Sequence, residues 1–254
     1  MDGMRSYDDL IEEAASVDVS GWDFSWLDGR ATEERPEWGY SRLLAAALAE
    51  VDTALDLQTG GGEVIDAAAQ LPPHTTVTEG WPPNVEAARK RLQPRGVRVV
   101  ALDEDASLPF ADATFDLVTA RHPIASHWSE TARVLRPGGR YLAQHVGPAS
   151  AFELIEWFLG PLSDDIRDGR HPRHDREGAT TAGLVVDEIR TARLRMEFFD
   201  IGAVVYILRK CVWWVPDFSV ERYADRLRTL DAVIRQDGAF VAHSSRLLVR
   251  AHRP

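Results

Sequence analysis

The stretch Asp56-Leu57-Gln58-Thr59-Gly60-Gly61-Gly62-Glu63 decides how the chain is read. Thr53 to Leu57 is a short apolar run with the character of a strand, and Glu63 to Gln70 reads as a helix. Glycine lacks a Cβ, so consecutive glycines let backbone take positive φ and approach a ligand closely at the carboxyl end of a strand. A glycine turn also serves as a plain connection, so its meaning depends on what surrounds it.

Working outward, Thr75 to Thr78 reads as a strand, Asn84 to Leu92 as a helix and Val97 to Leu102 as a strand. Phe115 to Ala120 reads as a strand and Ser126 to Leu135 as a helix. Gly139 to His145 is a strand opened by the turn Arg136-Pro137-Gly138-Gly139. This alternation predicts a parallel sheet covered on both faces. Upstream, Tyr7 to Ala15 has helical spacing. Trp22, Phe24, Trp26, Trp38 and Tyr40 then crowd a segment broken by Gly21, Gly29, Pro36 and Gly39, read as an N-terminal cap. Ser41 is expected to cap the next helix, whose apolar stripe is Leu43, Leu44, Ala47 and Leu48. Downstream come a helix at Ala151 to Phe158, a polar loop at Ser163 to Thr181 and alternating apolar positions from Leu184 to Phe199. A helix at Pro216 to Gln236 and a last strand at Ala239 to Ala251 follow. Without an internal repeat or a low-complexity linker, one domain over 1–254 is expected. Its parts are a cap at 1–41, a core at 42–148 and a C-terminal half at 149–254.

Forty acidic against 29 basic residues give a formal charge of -11, which repels phosphate backbones and disfavours nucleic acid as a partner. A hydrophobic share of 44% with 27% charged residues excludes disorder and fibrous repeats. Cys211 has no second cysteine to pair with, which fits a reducing cytoplasm. Met1 to Glu13 is acidic and lacks a leader's apolar stretch. No apolar run approaches the roughly 20 residues that cross a bilayer.

Glu79 ends the second strand at about the offset where dinucleotide folds place an acid on ribose, and its carboxylate can accept both hydroxyls. Gly80 and Trp81 follow, and the indole can stack on a purine. After the third strand, a carboxylate of Asp103-Glu104-Asp105 can accept the adenine amino hydrogen while the Ala106 amide meets a ring nitrogen.

Taken together, Asp56 to Glu63, Glu79, Asp103 to Phe110, Phe115-Asp116-Leu117-Val118 and Leu135-Arg136-Pro137-Gly138-Gly139 resemble the successive motifs of class I S-adenosylmethionine-dependent methyltransferases. Order and spacing match across Val51 to Val146. The resemblance implies an α/β, Rossmann-like three-layer sandwich with a mostly parallel seven-stranded sheet and an N-terminal helical cap. The sheet would end in an antiparallel hairpin of Leu184 to Phe199 and Ala239 to Ala251. It implies S-adenosylmethionine as cofactor, S-adenosylhomocysteine as product and no metal. The implied cofactor residues are Asp56, Gln58, Thr59, Gly60, Gly61, Gly62, Glu79, Gly80, Trp81, Asp103, Asp105, Ala106 and Arg121. The flanks resemble bacterial small-molecule members, so the expected partner is a small acceptor, with neither nucleic acid nor membrane; the oligomeric state stays open. One departure is Gln58, where the family usually has glycine. Its side chain stands near the expected methionine tail, where it can bond the cofactor or narrow the pocket.

His122, in Thr119-Ala120-Arg121-His122-Pro123, is the first candidate base, because an imidazole titrating at about 6.5 suits proton removal from a hydroxyl or amine. The alternative is a histidine bonded into its loop. Arg121 lines the cofactor pocket or binds an acidic acceptor. His145, at a strand end, is the second candidate. Trp26, Trp38 and Tyr40 are candidates for binding an apolar acceptor, or else fill core. His171-Pro172-Arg173-His174 lacks an established ligand spacing and is read as solvated loop. Two rivals remain: a degenerate, non-catalytic nucleoside-binding member, supported by Gln58, and an NAD-dependent oxidoreductase, whose G-x-G-x-x-G spacing is absent. A methyltransferase of structured RNA would need a basic patch that the charge balance does not supply.

Overall fold

The computed structural model describes residues 5–254, so the first four residues of the Met1 to Glu13 stretch lie outside it. In chain order the elements are α1 (Tyr7–Ser16), β1 (Ala31–Glu33), α2 (Tyr40–Leu48), β2 (Thr53–Leu57), α3 (Glu63–Asp66), β3 (His74–Glu79) and α4 (Pro82–Leu92). Then follow β4 (Arg98–Ala101), β5 (Phe115–Arg121), α5 (Trp128–Val134), β6 (Leu135–Val146), α6 (Phe152–Leu159), α7 (Asp164–Asp168) and α8 (Pro172–Thr181). The chain closes with β7 (Val185–Phe198), α9 (Ile201–Lys210), α10 (Ala224–Asp237) and β8 (Phe240–His252). Among the described residues no helix is long and apolar enough to cross a membrane.

The strands form an eight-stranded sheet in the order β1-β7-β8-β6-β5-β2-β3-β4. From β4 to β6 every neighbouring pair is parallel, while β8 runs antiparallel to β6 and β1 antiparallel to β7. The Rossmann-like α/β architecture expected from the sequence is present, with eight strands instead of seven. The additional strand is β1, three residues whose partners are Met196 to Phe198. The last two strands are neighbours, yet α9 and α10 lie in the connection between them.

The chain groups into two compact units. The larger holds Pro36–Pro148, Arg170–Ala192 and Arg246–Pro254; the smaller holds the residues up to Arg35, Ala149–Gly169 and Arg193–Ser245. These segments interleave along the chain, whereas the sequence reading drew three consecutive stretches.

In the larger unit, alternate strand residues point to opposite faces. Ala54, Val77, Leu117, Leu142 and Leu248 pack with Leu44 and Leu48 of α2 and with Ala88 and Leu92 of α4. Leu55, Val118, Ala120, Tyr141, Ala143 and Leu247 pack on the other side with Val134 and Ala179. From β2 the chain moves outward to β3 and β4, then returns to the other side of β2 as β5 and continues to β6. The strand order therefore reverses between β2 and β5, and in open α/β sheets ligands bind beyond the carboxyl ends of the strands at such a point.

In the smaller unit, α1 packs with α9 around Leu10, Ala14, Phe158, Phe198 and Ile201. Cys211 is buried there, and burial pushes its thiol up to about 12.

Several local expectations are corrected. Helix α2 begins at Tyr40 with Gly39, at φ +59°, in the cap position, so Ser41 lies inside the helix. Helix α3 stops at Asp66, well before Gln70. The supposed loop 163–181 contains α7 and α8; Pro172 suits the first turn of α8, and His171 caps it by accepting the Arg173 N–H. Helix α9 was not foreseen, and the helix expected from Pro216 starts only at Ala224.

Candidate active site

At the carboxyl end of β2 the chain turns sharply, with Gly60 at φ +64° and Gly62 at φ +81°. A Cβ on Gly62 would meet Leu92 Cδ1 at 2.6 Å, so only glycine lets α4 approach the turn this closely. The Thr59 N–H donates to the Thr78 carbonyl at 2.9 Å and anchors the turn to β3. On that strand, Glu79 is buried and its carboxylate accepts three backbone N–H groups: Gly60 at 2.7 Å, Gly80 at 3.1 Å and Trp81 at 3.0 Å. A carboxylate offers about four acceptor directions, which leaves one for a ligand hydroxyl. Trp81 itself is half-exposed, with its indole available for stacking.

Behind the turn, Asp56 is buried and accepts the Thr119 hydroxyl at 2.5 Å. Burial raises its pKa to about 6; the Thr119 hydrogen bond opposes the rise and nearby Glu79 adds to it.

Gln58 sits at φ +53°, a left-handed conformation that glycine adopts without strain. Its side chain reaches across the point where strand order reverses. The Ile124 N–H donates to Gln58 Oε1 at 2.6 Å, and Gln58 Nε2 donates to the Ala125 carbonyl at 3.0 Å. The departure from the family pattern is thus a strap between the end of β2 and the loop after β5.

His122 opens that loop, at φ +55°. Its N–H donates to the Gln144 carbonyl at 2.7 Å, and its Nε2 lies 3.0 Å from Gln144 Nε2, which can only donate. Trp38 Nε1 donates to the Oε1 of the same amide at 2.9 Å, which fixes the amide's orientation. The Tyr40 hydroxyl donates to the Ala120 carbonyl at 3.0 Å. Burial, followed by the guanidiniums of Arg246 and Arg121, holds the His122 pKa well below the usual imidazole value. The ring is therefore neutral at physiological pH, with Nε2 engaged.

His145 points to the opposite face of β6 from Gln144. Its Nε2 is 2.9 Å from the Tyr141 hydroxyl and its Nδ1 is 3.1 Å from Asp175 on α8, with Trp128 edge-on to Tyr141. Both ring nitrogens are engaged and the side chain is buried.

Asp103 and Asp105 lie in an exposed turn after β4, where the Ala106 N–H donates to the Asp103 carbonyl at 3.1 Å. Arg121, the last residue of β5, is exposed. Trp26 belongs to the smaller unit, stacked on Tyr206 at 4.8 Å with the Arg30 guanidinium 4.0 Å from its ring centre. Trp38 and Tyr40 are buried, and their polar ends are spent on the network around His122. The structure thus brings together Asp56, Gln58, the glycine turn, Glu79 and Trp81, with Arg121 and His122 across the reversal point. Sequence reasoning missed Thr119, Gln144 and Asp175 as partners. Strand alternation alone would have put Gln144 opposite in direction to His145.

A family model described as a methyltransferase domain matches residues 55–143. The demethylmenaquinone methyltransferase of Thermus thermophilus is 34% identical over 112 residues, covering 40% of this chain and 51% of that protein. The uncharacterized protein YafE of Escherichia coli is 35% identical over 105 residues, covering 36% of this chain and 49% of its own. The chain spans about half the length of these curated relatives. Among solved structures, the YcgJ protein of Bacillus subtilis aligns with a TM-score of 0.60 at 18% identity, over 85% of this chain and 99% of that one, which is a likeness of fold.

Proposed function

We propose that the chain, whose residues 55–143 match the model of a methyltransferase domain, transfers a methyl group from S-adenosylmethionine to an O, N or C nucleophile of a small acceptor, leaving S-adenosylhomocysteine. One observation carries the reading: the Glu79 carboxylate closes on the Gly60 N–H at 2.7 Å, beside the reversal of strand order. A side-chain-free turn opposed by a buried acid is what a nucleoside with a ribose diol requires.

When bound, the cofactor supplies a methyl group activated by a sulfonium. Glu79 accepts a ribose hydroxyl on its remaining lone pair, and Trp81 covers one face of the purine. Asp103 or Asp105 would receive the adenine amino group, and the Ala106 N–H, which donates to the Asp103 carbonyl at 3.1 Å, would be the donor for a ring nitrogen. Asp56 supplies negative charge behind the turn, where a cationic amino group is stabilised. Holding donor and acceptor in line away from water is worth roughly 7 to 11 kcal/mol in favourable cases, so no covalent intermediate on the protein is needed. His122 stands across the reversal point from the glycine turn as a neutral imidazole. It can receive a proton at Nε2 only by exchanging the Gln144 N–H. The net charge of -11 and the lone Cys211 favour a small acceptor and a reducing cytoplasmic setting.

Melting curves with S-adenosylhomocysteine and with NAD test the assignment. A rise in Tm with the first alone is expected. A rise with NAD alone, or no response to either, overturns it.

A further inference from the structure

Gln144 holds His122 with both its main chain and its side chain. Its carbonyl accepts the His122 N–H at 2.7 Å, continuing the ladder in which Arg121 pairs with Gln144. Its amide lies between two rings, with Oε1 accepting the Trp38 indole N–H at 2.9 Å and Nε2 at 3.0 Å from His122 Nε2. An indole N–H only donates, so a flipped amide would set two donors against each other. The amide nitrogen also only donates, so His122 Nε2 is the bare nitrogen of the ring. A neutral imidazole with a bare Nε2 carries its proton on Nδ1. Imidazolium and the other tautomer are disfavoured alike, since each sets an N–H against the Gln144 N–H. Burial, the largest influence on the ring, favours the same neutral form.

His122 is the first residue beyond the carboxyl end of β5, which flanks the reversal of strand order where ligands bind in open α/β sheets. The two nitrogens of an imidazole face away from each other, so with Nε2 held by Gln144 the Nδ1 edge is turned away from the clamp. Among the described residues Nδ1 has no hydrogen-bond partner, and the ring is partly exposed. Trp38, His122 and Gln144 all belong to the larger unit.

We propose that Trp38 and Gln144 are positioning residues that lock His122 as its Nδ1–H tautomer, and that His122 serves the acceptor as a hydrogen-bond donor to a carbonyl or carboxylate oxygen instead of as a base. The class of acceptor narrows accordingly: it presents such an oxygen beside the methylated atom, and its nucleophile needs no proton taken by this ring. A ring whose one lone pair is engaged by Gln144 cannot take a proton without breaking the clamp, whereas its N–H is free to orient an oxygen. What comes to Nδ1 rests on the methyl-transfer reading; which nitrogen holds the proton does not. The cofactor's own carboxylate offers the same chemistry, and the test separates the two sources.

Nitrogen NMR of histidine-labelled protein near neutral pH reads the tautomer, and the His122→Asn spectrum assigns the signal among the 8 histidines. Wild type should show Nδ1 protonated and Nε2 bare. Gln144→Glu, which turns the donor facing Nε2 into an acceptor, should put a proton on Nε2. Trp38→Phe, which frees the amide to flip, should give a mixture of tautomers. Sodium acetate, whose carboxylate only accepts, should shift the wild-type Nδ1 resonance with and without S-adenosylhomocysteine, where sodium chloride does not. A proton on Nε2 in wild type overturns the proposal, as does an unchanged ring in either folded variant or the absence of a response to acetate. If S-adenosylhomocysteine itself shifts Nδ1 and abolishes the acetate response, the ring serves the cofactor and the proposal fails. If S-adenosylhomocysteine does not bind wild type, the methyl-transfer reading fails, while the Nδ1–H tautomer and the acetate response still uphold the donor edge. The wild-type spectrum decides the tautomer even where a variant does not fold.

Discussion

Replacing Gln58 by alanine and by glycine pits two opposed effects against each other at one residue. The side chain makes hydrogen bonds of 2.6 and 3.0 Å to the loop after β5. At about 1 kcal/mol each, both substitutions forfeit about 2 kcal/mol. Alanine keeps the left-handed strain at φ +53°, whereas glycine relieves about 1 kcal/mol of it. Alanine should therefore destabilise by about 2 kcal/mol and glycine by about 1 kcal/mol, read as urea midpoints at constant slope. Where the strap closes the reversal point, cofactor entry must break it, and its removal tightens S-adenosylhomocysteine binding by up to about 30-fold, the equivalent of those two bonds. Titration calorimetry measures this. A glycine variant less stable than the alanine one would refute the strain argument. Weaker binding by both variants would refute the strap and show the amide to be a cofactor ligand. Binding by the glycine variant alone, with none by wild type, would favour a degenerate, non-catalytic chain.

Asp56, at a pKa of about 6 against an unfolded value of 3.8, contributes stability that is complete below about pH 4 and lost as pH rises through 6. The loss amounts to about 3 kcal/mol, so Asp56→Asn should flatten the stability profile and raise the melting temperature at neutral pH; an unchanged profile would count against a buried ionised carboxylate. Glu79→Gln places an amide against three N–H donors and should cost about 3 kcal/mol, with nucleoside affinity falling more than about tenfold; chemical denaturation and calorimetry read the two effects. Cys211, with its thiol pushed up to about 12, should resist a thiol-specific reagent at pH 8 in the native protein and react at once in denaturant.

The glycine turn, Glu79 and the strands from β2 to β6 were legible because their signals are local: alternation, a turn at each strand end, an acid at a fixed offset. Helix α9 was not, since Ile201 to Leu208 is buried all round and gives no polar contrast from which to read a period. Helix α8 hid for the opposite reason, with Ala179 its one buried residue, so composition alone marked a loop. The pairing of Trp38 and His122 through Gln144 joins residues 106 and 22 positions apart in the chain. No local pattern encodes such a meeting.

The Tyr141, His145 and Asp175 chain gives α8 an address. Apolar surfaces tolerate sliding, whereas a carboxylate that must meet one imidazole nitrogen admits a single seating of the helix. Severing that pin by Asp175→Ala would leave the sheet intact but loosen the seating of the helix on it.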